Sequence, residues 1–534
     1  MAPRDKTTNL WPGMRRDGHS VLTAGGSPVT FGGKPGGLHD ETEDNRRVRG
    51  RRCPAGAASV PPVTGRWPCG LAGVIRLGLV LVVAALVPAS ADAQERVGLT
   101  LPEAREVATR ALLGGDPRLA LDIAGAIVQA HPDDRGALLI VAAAAPRVGE
   151  AARGQRAGAR AWRLSQTAPQ RYEAARLTAL AASEGGRLTT ASFWLRLALV
   201  SAPDAAQEDR TLADARAVAR RNPLQLRLSL SLAPSSNVNG GAQTDLSTAP
   251  GNPAGSLSQD ALALAGWRGT VGLGASYRLS ETPQSRTTAG IDLQAARVWI
   301  TEDTMVPDGA FDTTYAEARL RHERVVAEGL FGLALTRGQF NYRDIAGDIA
   351  LGTAEAVPEA YRLTRLSADY QRALSDDASL QVSIARERLA YDAPGIGDVD
   401  RLRGGATLGY ALQSGDVVTL GFDIVDSTGD NPNYTSTERG LRASYRWDAP
   451  LGPVTVAASG GYRWADYPDY SLLFPVTGGR RDETVFATID LGFPQAAFAG
   501  FIPGLRIEAA RTDSNVSRFD RDSLGARLTI TSSF

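Results

Sequence analysis

The chain has 534 residues, which is too long for one ordinary domain, so two or more structural units are expected. Its 58 Lys and Arg residues balance 58 Asp and Glu residues, and this zero net charge argues against a nucleic-acid binder that works through whole-domain charge. Lysine occurs only at Lys6 and Lys34, so the sequence contains no Gly-Lys-Ser/Thr phosphate loop.

Residues 1–93 predict an extension followed by an export signal. Residues 74–93 contain one Arg, an apolar run and a closing Ala-Asp-Ala, which predicts a signal peptide cleaved between Ala93 and Gln94. The apolar run is about half of the roughly 20 residues that a spanning helix needs, which favours export over an inner-membrane anchor. Residues 1–73 are rich in Gly, Pro and Arg. We interpret them as a disordered, mis-annotated N-terminal extension, because a basic nucleic-acid arm has no place before an export signal.

Residues 94–221 have a helical period and predict a periplasmic domain of tetratricopeptide-like helix pairs. Three prolines recur at intervals close to the 34-residue period of such repeats: Pro132, Pro169 and Pro203. An alanine precedes each proline by twelve residues and an apolar residue precedes it by five: Ala120, Ala157 and Ala191, then Ile127, Leu164 and Ala198. A plain alanine-rich helical bundle is the alternative. Either arrangement gives a concave groove suited to a peptide or protein.

From Leu224 the period changes to two, and residues 222–534 predict an outer-membrane β-barrel. In LQLRLSLSLA (224–233) leucines occupy one face and polar residues the other, and about fourteen comparable runs extend to the C-terminus. Connections after odd-numbered runs are mostly long, and those after even-numbered runs are mostly short, as in outer-membrane barrels. The predicted fold class is an α + β membrane protein with a helical repeat domain and a fourteen-stranded antiparallel transmembrane barrel.

Aromatic residues and the last strand support a membrane barrel. Four tryptophans lie at or near predicted strand ends, as an interfacial girdle requires: Trp267, Trp299, Trp447 and Trp464. A soluble all-β domain, the alternative, would usually keep tryptophan mid-strand in a core. The chain ends in a run that fits the signal read by the barrel-insertion machinery: Ser523, Gly525, Leu528, Ile530 and Phe534.

The mature sequence offers little for catalysis. Cys53 and Cys69 precede the predicted cleavage site, so no disulfide or thiol chemistry is expected after it. His131 falls in a predicted turn, and His322 shares a strand face with Leu320 near a strand end. No His, Cys or carboxylate cluster has the spacing of a metal site. We therefore predict no enzymatic activity, no catalytic residue, no metal and no cofactor.

The inward barrel face is predicted to be polar and charged. Candidate lumen-facing residues alternate along the fourth strand and recur on the first and last: Arg227, Glu317, Arg319, Arg321, Glu323 and Arg527. Any barrel wide enough for water has such a lining. Mixed signs indicate no clear preference for anions or cations.

Two stretches of the predicted barrel are alike: LAPSSNVNGGAQTD (232–245) and RTDSNVSRFD (511–520). With the closing run of the chain, they resemble the surface lipoprotein assembly modulators, the Slam family. The family's G-F-x-P lead-in and S-N pair match Gly500, Phe501, Pro503, Ser514 and Asn515. Its first-strand D-S-N-x-N pattern matches Ser236, Asn237 and Asn239, with Ser235 where Asp is usual. The resemblance covers most of the mature chain.

The resemblance implies an outer-membrane translocator that delivers lipoproteins or related client proteins from the periplasm to the cell surface. The expected partners are a client surface lipoprotein or secreted protein, a periplasmic chaperone, the barrel-assembly machinery and outer-membrane lipid, without nucleic acid. The alternatives are a tetratricopeptide-linked barrel for polysaccharide export, and a porin or receptor with an accessory periplasmic domain.

The two Ser-Asn stretches give a geometric hypothesis. Because strand fourteen of a closed barrel pairs with strand one, Asn237 and Asn515 are expected on the outer rim near this seam. They would order the rim where a client emerges. The alternative is that Asn suits tight turns and left-handed backbone at these positions.

Overall fold

The computed structural model describes residues 98–306, 309–342, 360–393, 395–498 and 501–532. It contains a helical region followed by a closed barrel of fourteen antiparallel strands, which confirms the predicted fold class. The predicted extension, the signal peptide with Ala93 and Gln94, and residues Gly500 and Phe534 lie outside the described residues. No helix within the described ranges combines the length and apolar character needed to cross a bilayer.

The helical region, as described from residue 98 onward, contains seven α-helices: α1 (Leu101–Leu113), α2 (Pro117–Ala130), α3 (Arg135–Ala144), α4 (Ala151–Arg163), α5 (Ala168–Glu184), α6 (Leu188–Val200) and α7 (Ala205–Arg221). Four of them begin at a side chain that accepts a hydrogen bond from the third helical residue, which satisfies a backbone donor at the helix start. These N-cap residues are Asp116, Asp134, Thr167 and Asp204.

The helices pack in successive pairs, and small residues bring them close together. The three alanines of the repeat pattern lie in α2, α4 and α6, and all are buried: Ala120, Ala157 and Ala191. Gly158 of α4 faces Thr178 of α5, and a β-carbon at Gly158 would lie 3.2 Å from the Thr178 Cα atom. Helix pairs are therefore present, while their assignment to the tetratricopeptide class stays a prediction.

The barrel strands are β1 (Leu224–Ser235), β2 (Gly266–Glu281), β3 (Ser285–Ile300), β4 (Thr313–Val326), β5 (Gly329–Tyr342), β6 (Tyr361–Ala373), β7 (Ala378–Tyr391), β8 (Asp398–Ala411), β9 (Val417–Gly429), β10 (Ser436–Arg446), β11 (Thr455–Tyr467), β12 (Arg480–Gly492), β13 (Phe501–Ser514) and β14 (Arg521–Ser532). Each strand pairs with its chain neighbours, and β14 pairs with β1 to close the sheet. At this seam Leu230 lies opposite Ile530 and Ser235 lies opposite Gly525.

The two faces of the barrel differ in polarity, because side chains alternate along each strand. The outward positions of β1 carry Leu226, Leu228, Leu230 and Leu232, all exposed on the surface of the barrel. The inward positions carry Gln225, Arg227, Ser229 and Ser231. A wide apolar outer face with a polar interior is the pattern of a barrel that crosses a membrane.

The two ends of the barrel differ in the length of their connections. At one end, which we call the short-turn end, β4 and β5 are joined only by Ala327 and Glu328, both at positive φ as a two-residue hairpin requires. At the other, the long-loop end, residues 236–265 connect β1 to β2 and contain a small two-stranded sheet. The helical region joins the barrel at the short-turn end, where β1 begins.

Candidate functional site: the barrel lumen and its loop cover

The wall from β3 to β8 carries a network of ion pairs that points into the barrel. Glu323 accepts from Arg286 at 2.5 Å and from Arg321 at 3.3 Å, and Arg321 also donates to Asp369 at 2.8 Å. Glu387 is almost fully buried and lies 2.6 Å from Arg365 and 3.0 Å from Arg403. Each carboxylate in this wall therefore has a guanidinium partner that offsets the cost of its burial.

The residues predicted to face the lumen all lie on the inward face. Glu317 pairs with Arg319 and accepts a hydrogen bond from the Tyr315 hydroxyl. Arg321 and Glu323 belong to the network above. Arg227 lies 3.9 Å from Asp292, and Arg527 lies 3.2 Å from Glu508. The inward position of these six residues follows from the strand register, since each is opposite another inward residue on the next strand.

An aromatic row on the inward face is a feature that the sequence reasoning missed. It runs from β4 to the loop after β9 through Tyr315, Phe340, Tyr361, Tyr391 and Tyr434, with successive ring centroids 5.3–6.2 Å apart. Leu363, Leu389 and Val399 are buried beside it. The available signal was an aromatic residue at the long-loop end of four consecutive strands, on the face opposite the leucines. The row lines the lumen just below the long loops.

Three loops, two of them long, fold together over this end of the barrel; we call residues 236–265, 468–479 and 515–520 the loop cover. Its apolar centre contains Ala249, Tyr470, Val476 and Val516, and Val516 is fully buried. Asn252 exchanges two hydrogen bonds with the backbone of Phe474, at 3.1 and 2.9 Å. The backbone N–H of Ser517 donates to the Thr248 carbonyl at 3.0 Å. These contacts hold the loop after β1 against the loops after β11 and β13.

Arg480, at the start of β12, is the central side chain beneath the loop cover. Its guanidinium carbon lies 3.4 Å from the ring centroid of Phe519 and 3.8 Å from that of Tyr467. Its Nη2 atom donates to Asp482 at 2.7 Å, and both side chains are buried. A buried arginine that is both paired and stacked is a strong attachment between the barrel wall and the loops.

The first Ser-Asn stretch fastens the loop cover to the seam. The Asn237 side chain donates to the Gly241 carbonyl at 2.9 Å and to the Asp522 carbonyl of β14 at 3.3 Å. Asn239 donates to the carbonyls of Asp260 and Leu262. Ser236 accepts a hydrogen bond from the Leu524 backbone N–H at 3.0 Å. This stretch therefore continues the pairing of β1 with β14 beyond the end of β1.

The second Ser-Asn stretch lies elsewhere than expected. Asn515 donates to the Gly479 carbonyl at 2.8 Å and accepts from the Arg481 backbone N–H at 2.8 Å, so it binds the start of β12. Ser514 accepts from Val516 within its own loop at 3.1 Å. The expectation that Asn515 lies by the closing seam is wrong, because its carbonyl and amide groups reach β12 on the other side of β13. Both asparagines nevertheless lie on the same rim and bind backbone groups.

The remaining motif residues occupy two places. Phe501 begins β13 at the short-turn end, where the Arg196 guanidinium of α6 lies 5.0 Å from its ring centroid. The Pro503 carbonyl accepts from the Phe493 backbone N–H at 3.0 Å. In β14, Leu528 and Ile530 share the outward face, while Ser523 and Gly525 share the inward face with Arg527.

The junction between the helices and the barrel is short and bonded. Only Asn222 and Pro223 separate α7 from β1. Arg278 of β2 donates through Nη2 to the carbonyls of Arg220 and Arg221, at 3.1 and 3.2 Å. Together with the contact between Arg196 and Phe501, these bonds hold the helical region against the short-turn end. Burial at this contact lowers the pKa of Arg196 from its ordinary value.

Two histidines, His131 and His322, lie in the part of the chain that the structure describes. His322 lies on the outward face, and its Nδ1 atom is 2.9 Å from the Thr287 hydroxyl of the neighbouring strand. His131 ends α2 as its C-cap residue. Across the described ranges, no group of three or more His, Cys, Asp or Glu residues is placed to hold a metal ion.

Together, the closed fourteen-stranded sheet, the apolar outer face and the charged inner face define an outer-membrane-type β-barrel. Comparisons with known proteins give likenesses of fold. No family model and no curated protein matches the sequence.

Among solved structures, Pseudomonas putida OprB at high pH has 11% identity and a TM-score of 0.36, and the match covers 60% of this chain and 97% of that chain. The outer membrane channel DcaP of Acinetobacter baumannii has 9% identity and a TM-score of 0.35, covering 58% of this chain and 97% of that chain. The Yersinia enterocolitica type III secretion translocator chaperone SycD has 15% identity and a TM-score of 0.21, covering 23% of this chain and 85% of that chain. At these scores the likenesses carry no argument about function.

Proposed function

We propose that the protein is an outer-membrane translocator that delivers lipoproteins or related client proteins from the periplasm to the cell surface. In this proposal the short-turn end of the barrel faces the periplasm and the long-loop end faces outward. The helical region engages the client or its chaperone, and the barrel passes the client. The barrel-assembly machinery inserts the protein, and outer-membrane lipid surrounds it.

The observation that carries this proposal is the fixed position of the helical region at the barrel entrance. Arg278 bonds to the last two residues of α7, and Asn222 links this helix end to α6 through Thr189 at 3.2 Å. A module held in this way stays next to the lumen, whereas a flexible tether would not. Small solutes need no such module, so a macromolecular client is the simplest reason for it.

The loop cover is consistent with a barrel that is closed at rest and opens for a client. An open pore needs no apolar centre above its mouth, yet Val516 and Val476 are buried among the loops. A cover that is held by Arg480 and by asparagine side chains can close the resting barrel and open when a client arrives. Folding of the client outside would then make the transfer one-way.

The test is surface display of a candidate client. A small lipoprotein encoded beside this gene is tagged and expressed with the full chain, with a chain lacking residues 94–221, or alone. Labelling of intact cells with an impermeant reagent measures display, and heat-dependent gel mobility measures barrel folding. We expect display only with the full chain.

Two outcomes would contradict the proposal. One is equal display without the protein. The other is equal display by the folded barrel that lacks the helices, because the helical region would then have no part in delivery. A glycosyltransferase cluster beside the gene, with polysaccharide lost from the surface on deletion, would favour the export of polysaccharide instead.

A further inference from the structure

Two arginines on the inner wall differ from those of the ion-paired network. Arg442 of β10 and Arg463 of β11 point inward, and among the described residues no carboxylate oxygen lies within 4.0 Å of either guanidinium. The Nε atom of Arg442 is buried and has no hydrogen-bond partner among the described residues. Their strands pair so that Arg442 is opposite Gly461 and Arg463 is opposite Gly440. The two arginines are therefore diagonal neighbours, with β-carbons roughly 7–8 Å apart.

Short side chains surround these guanidinium groups, with the Asp423 carboxylate lying over Gly440 and the Phe486 ring over Gly461. Gly440 and Gly461 carry no side chain, and Ser444, Ser459 and Thr484 are short hydroxyl residues on the same face. The Arg442 guanidinium carbon lies 5.1 Å from the ring centroid of Phe486, which supports it from one side. Hydroxyl and guanidinium donors that share one face of the wall suit an oxyanion.

The Asp423 carboxylate lies over Gly440 and offsets part of the positive charge of Arg442. Asp423 of β9 and Glu438 of β10 face the same lumen, and Arg401 and Arg521 face it as well. Three further inward carboxylates already have partners: Asp482 pairs with Arg480, Asp490 with Arg506 at 2.6 Å, and Glu508 with Arg527. Among the described inward groups of β8–β14 that form no ion pair, arginines therefore outnumber carboxylates.

We infer that the lumen contains an oxyanion-binding site centred on Arg442 and Arg463, and that the open barrel favours anions over cations. The ligand class is a small anion with two or more phosphate or carboxylate groups, since two guanidinium groups lie within reach of each other. This site requires only the barrel and holds whether or not a client protein passes through it.

The experiment measures anion binding to the full chain in detergent. Isothermal titration uses pyrophosphate in one arm and citrate in the other, which distinguishes phosphate from carboxylate ligands. We expect the wild type to bind at least one of them. The variant R442Q/R463Q should bind roughly tenfold or more weakly, because it loses the two charged hydrogen-bond donors that would hold the anion. The matched control is R386Q, since Arg386 is on the outward face of β7 with 76% of its side chain exposed.

A second readout uses the barrel in a planar bilayer under a potassium chloride gradient. The reversal potential should indicate chloride preference in the wild type and in R386Q, and it should move toward potassium in R442Q/R463Q. All three proteins are first checked for heat-dependent gel mobility. The inference is overturned if neither anion binds, if R442Q/R463Q binds as tightly as the wild type, if R386Q loses binding equally, or if the wild-type current favours potassium.

Discussion

Arg480 and Phe519 are stacked, with the guanidinium carbon 3.4 Å from the ring centroid, although β13 lies between β12 and the loop that carries Phe519. The same guanidinium is bonded to Asp482. One side chain thus joins the barrel wall to the last loop and, through Tyr470, to the apolar centre of the loop cover.

Replacement of Arg480 by Ala should release the loop cover. It leaves the buried Asp482 carboxylate without its partner, which costs about 3–5 kcal/mol when a buried pair is broken. We expect limited proteolysis of the folded barrel to cut within 236–265 or 515–520 much faster than in the wild type. The control is Arg511→Ala, since Arg511 is 69% exposed on the rim. Equal cleavage of R480A and the wild type would show that the loops hold without Arg480.

Replacement of Asn237 by Ala should lower the free energy of unfolding by about 1–3 kcal/mol, and so should replacement of Asn515. Each change leaves buried or half-buried backbone groups without a hydrogen-bond partner. The two side chains bind different neighbours, so the double variant should show additive losses within about 0.5 kcal/mol in urea unfolding. The control is Asn341→Ala, which removes only hydrogen bonds between side chains.

The same double variant tests the role of the rim in delivery. N237A/N515A should reduce client display while the barrel still inserts and shifts on heating. Unchanged display with an unfolding loss would assign both asparagines to stability alone.

Replacement of Gly158 by Ala should destabilise the helical region. The new methyl group would lie 3.2 Å from the Thr178 Cα, a backbone atom that cannot move away locally. Overpacking of this kind costs about 1–3 kcal/mol, which outweighs the gain of about 1 kcal/mol in helix propensity.

The matched variant is Gly125→Ala, whose methyl group would meet the movable end of the Arg153 side chain, 2.7 Å away. Thermal loss of the helical circular dichroism signal should begin earlier in G158A and at the same temperature or later in G125A. The opposite order would contradict the close packing of α4 against α5.

The turn between β8 and β9 should loosen in acid. Asp416 accepts hydrogen bonds from the Tyr445 hydroxyl, the Asp448 backbone N–H and the Ser414 hydroxyl, at 2.6, 2.9 and 2.8 Å. These bonds lower the pKa of Asp416 below its ordinary value of 3.8. A lowered pKa in the folded state means that the stabilisation is present above pH 3.8 and is lost as the pH falls below it. Hydrogen exchange at this turn should stay constant above pH 3.8 and rise as the pH falls below it in the wild type, after correction for intrinsic rates. In D416N the turn should exchange at a rate that does not depend on this titration.

The strands could be predicted from the sequence because their period depends only on which face meets apolar surroundings. The leucines of 224–233 fix the outward face of β1, and the register then places Arg227 inside. The partners of Arg480 and Asn515 could not be predicted, since they come from loops that meet only after the barrel closes. For the same reason, the mixed charges of the lumen-facing residues could not predict which of them form ion pairs. Glu387 forms two, whereas Arg442 has no carboxylate partner among the described residues. The local sequence pattern determines which face of the sheet a side chain occupies, while tertiary contacts determine which residues it binds.

The orientation of the barrel in the membrane is the most direct test of this account. Single cysteines replace Ala254 in the first long loop, Asp376 in a short turn and Gln129 in α2, three exposed positions. An impermeant maleimide is then applied to intact cells and to cells with a permeabilised outer membrane. We predict that A254C is labelled in intact cells, and that D376C and Q129C are labelled only after permeabilisation. Labelling of Q129C from outside, or of A254C only after permeabilisation, would contradict delivery from the periplasm to the surface.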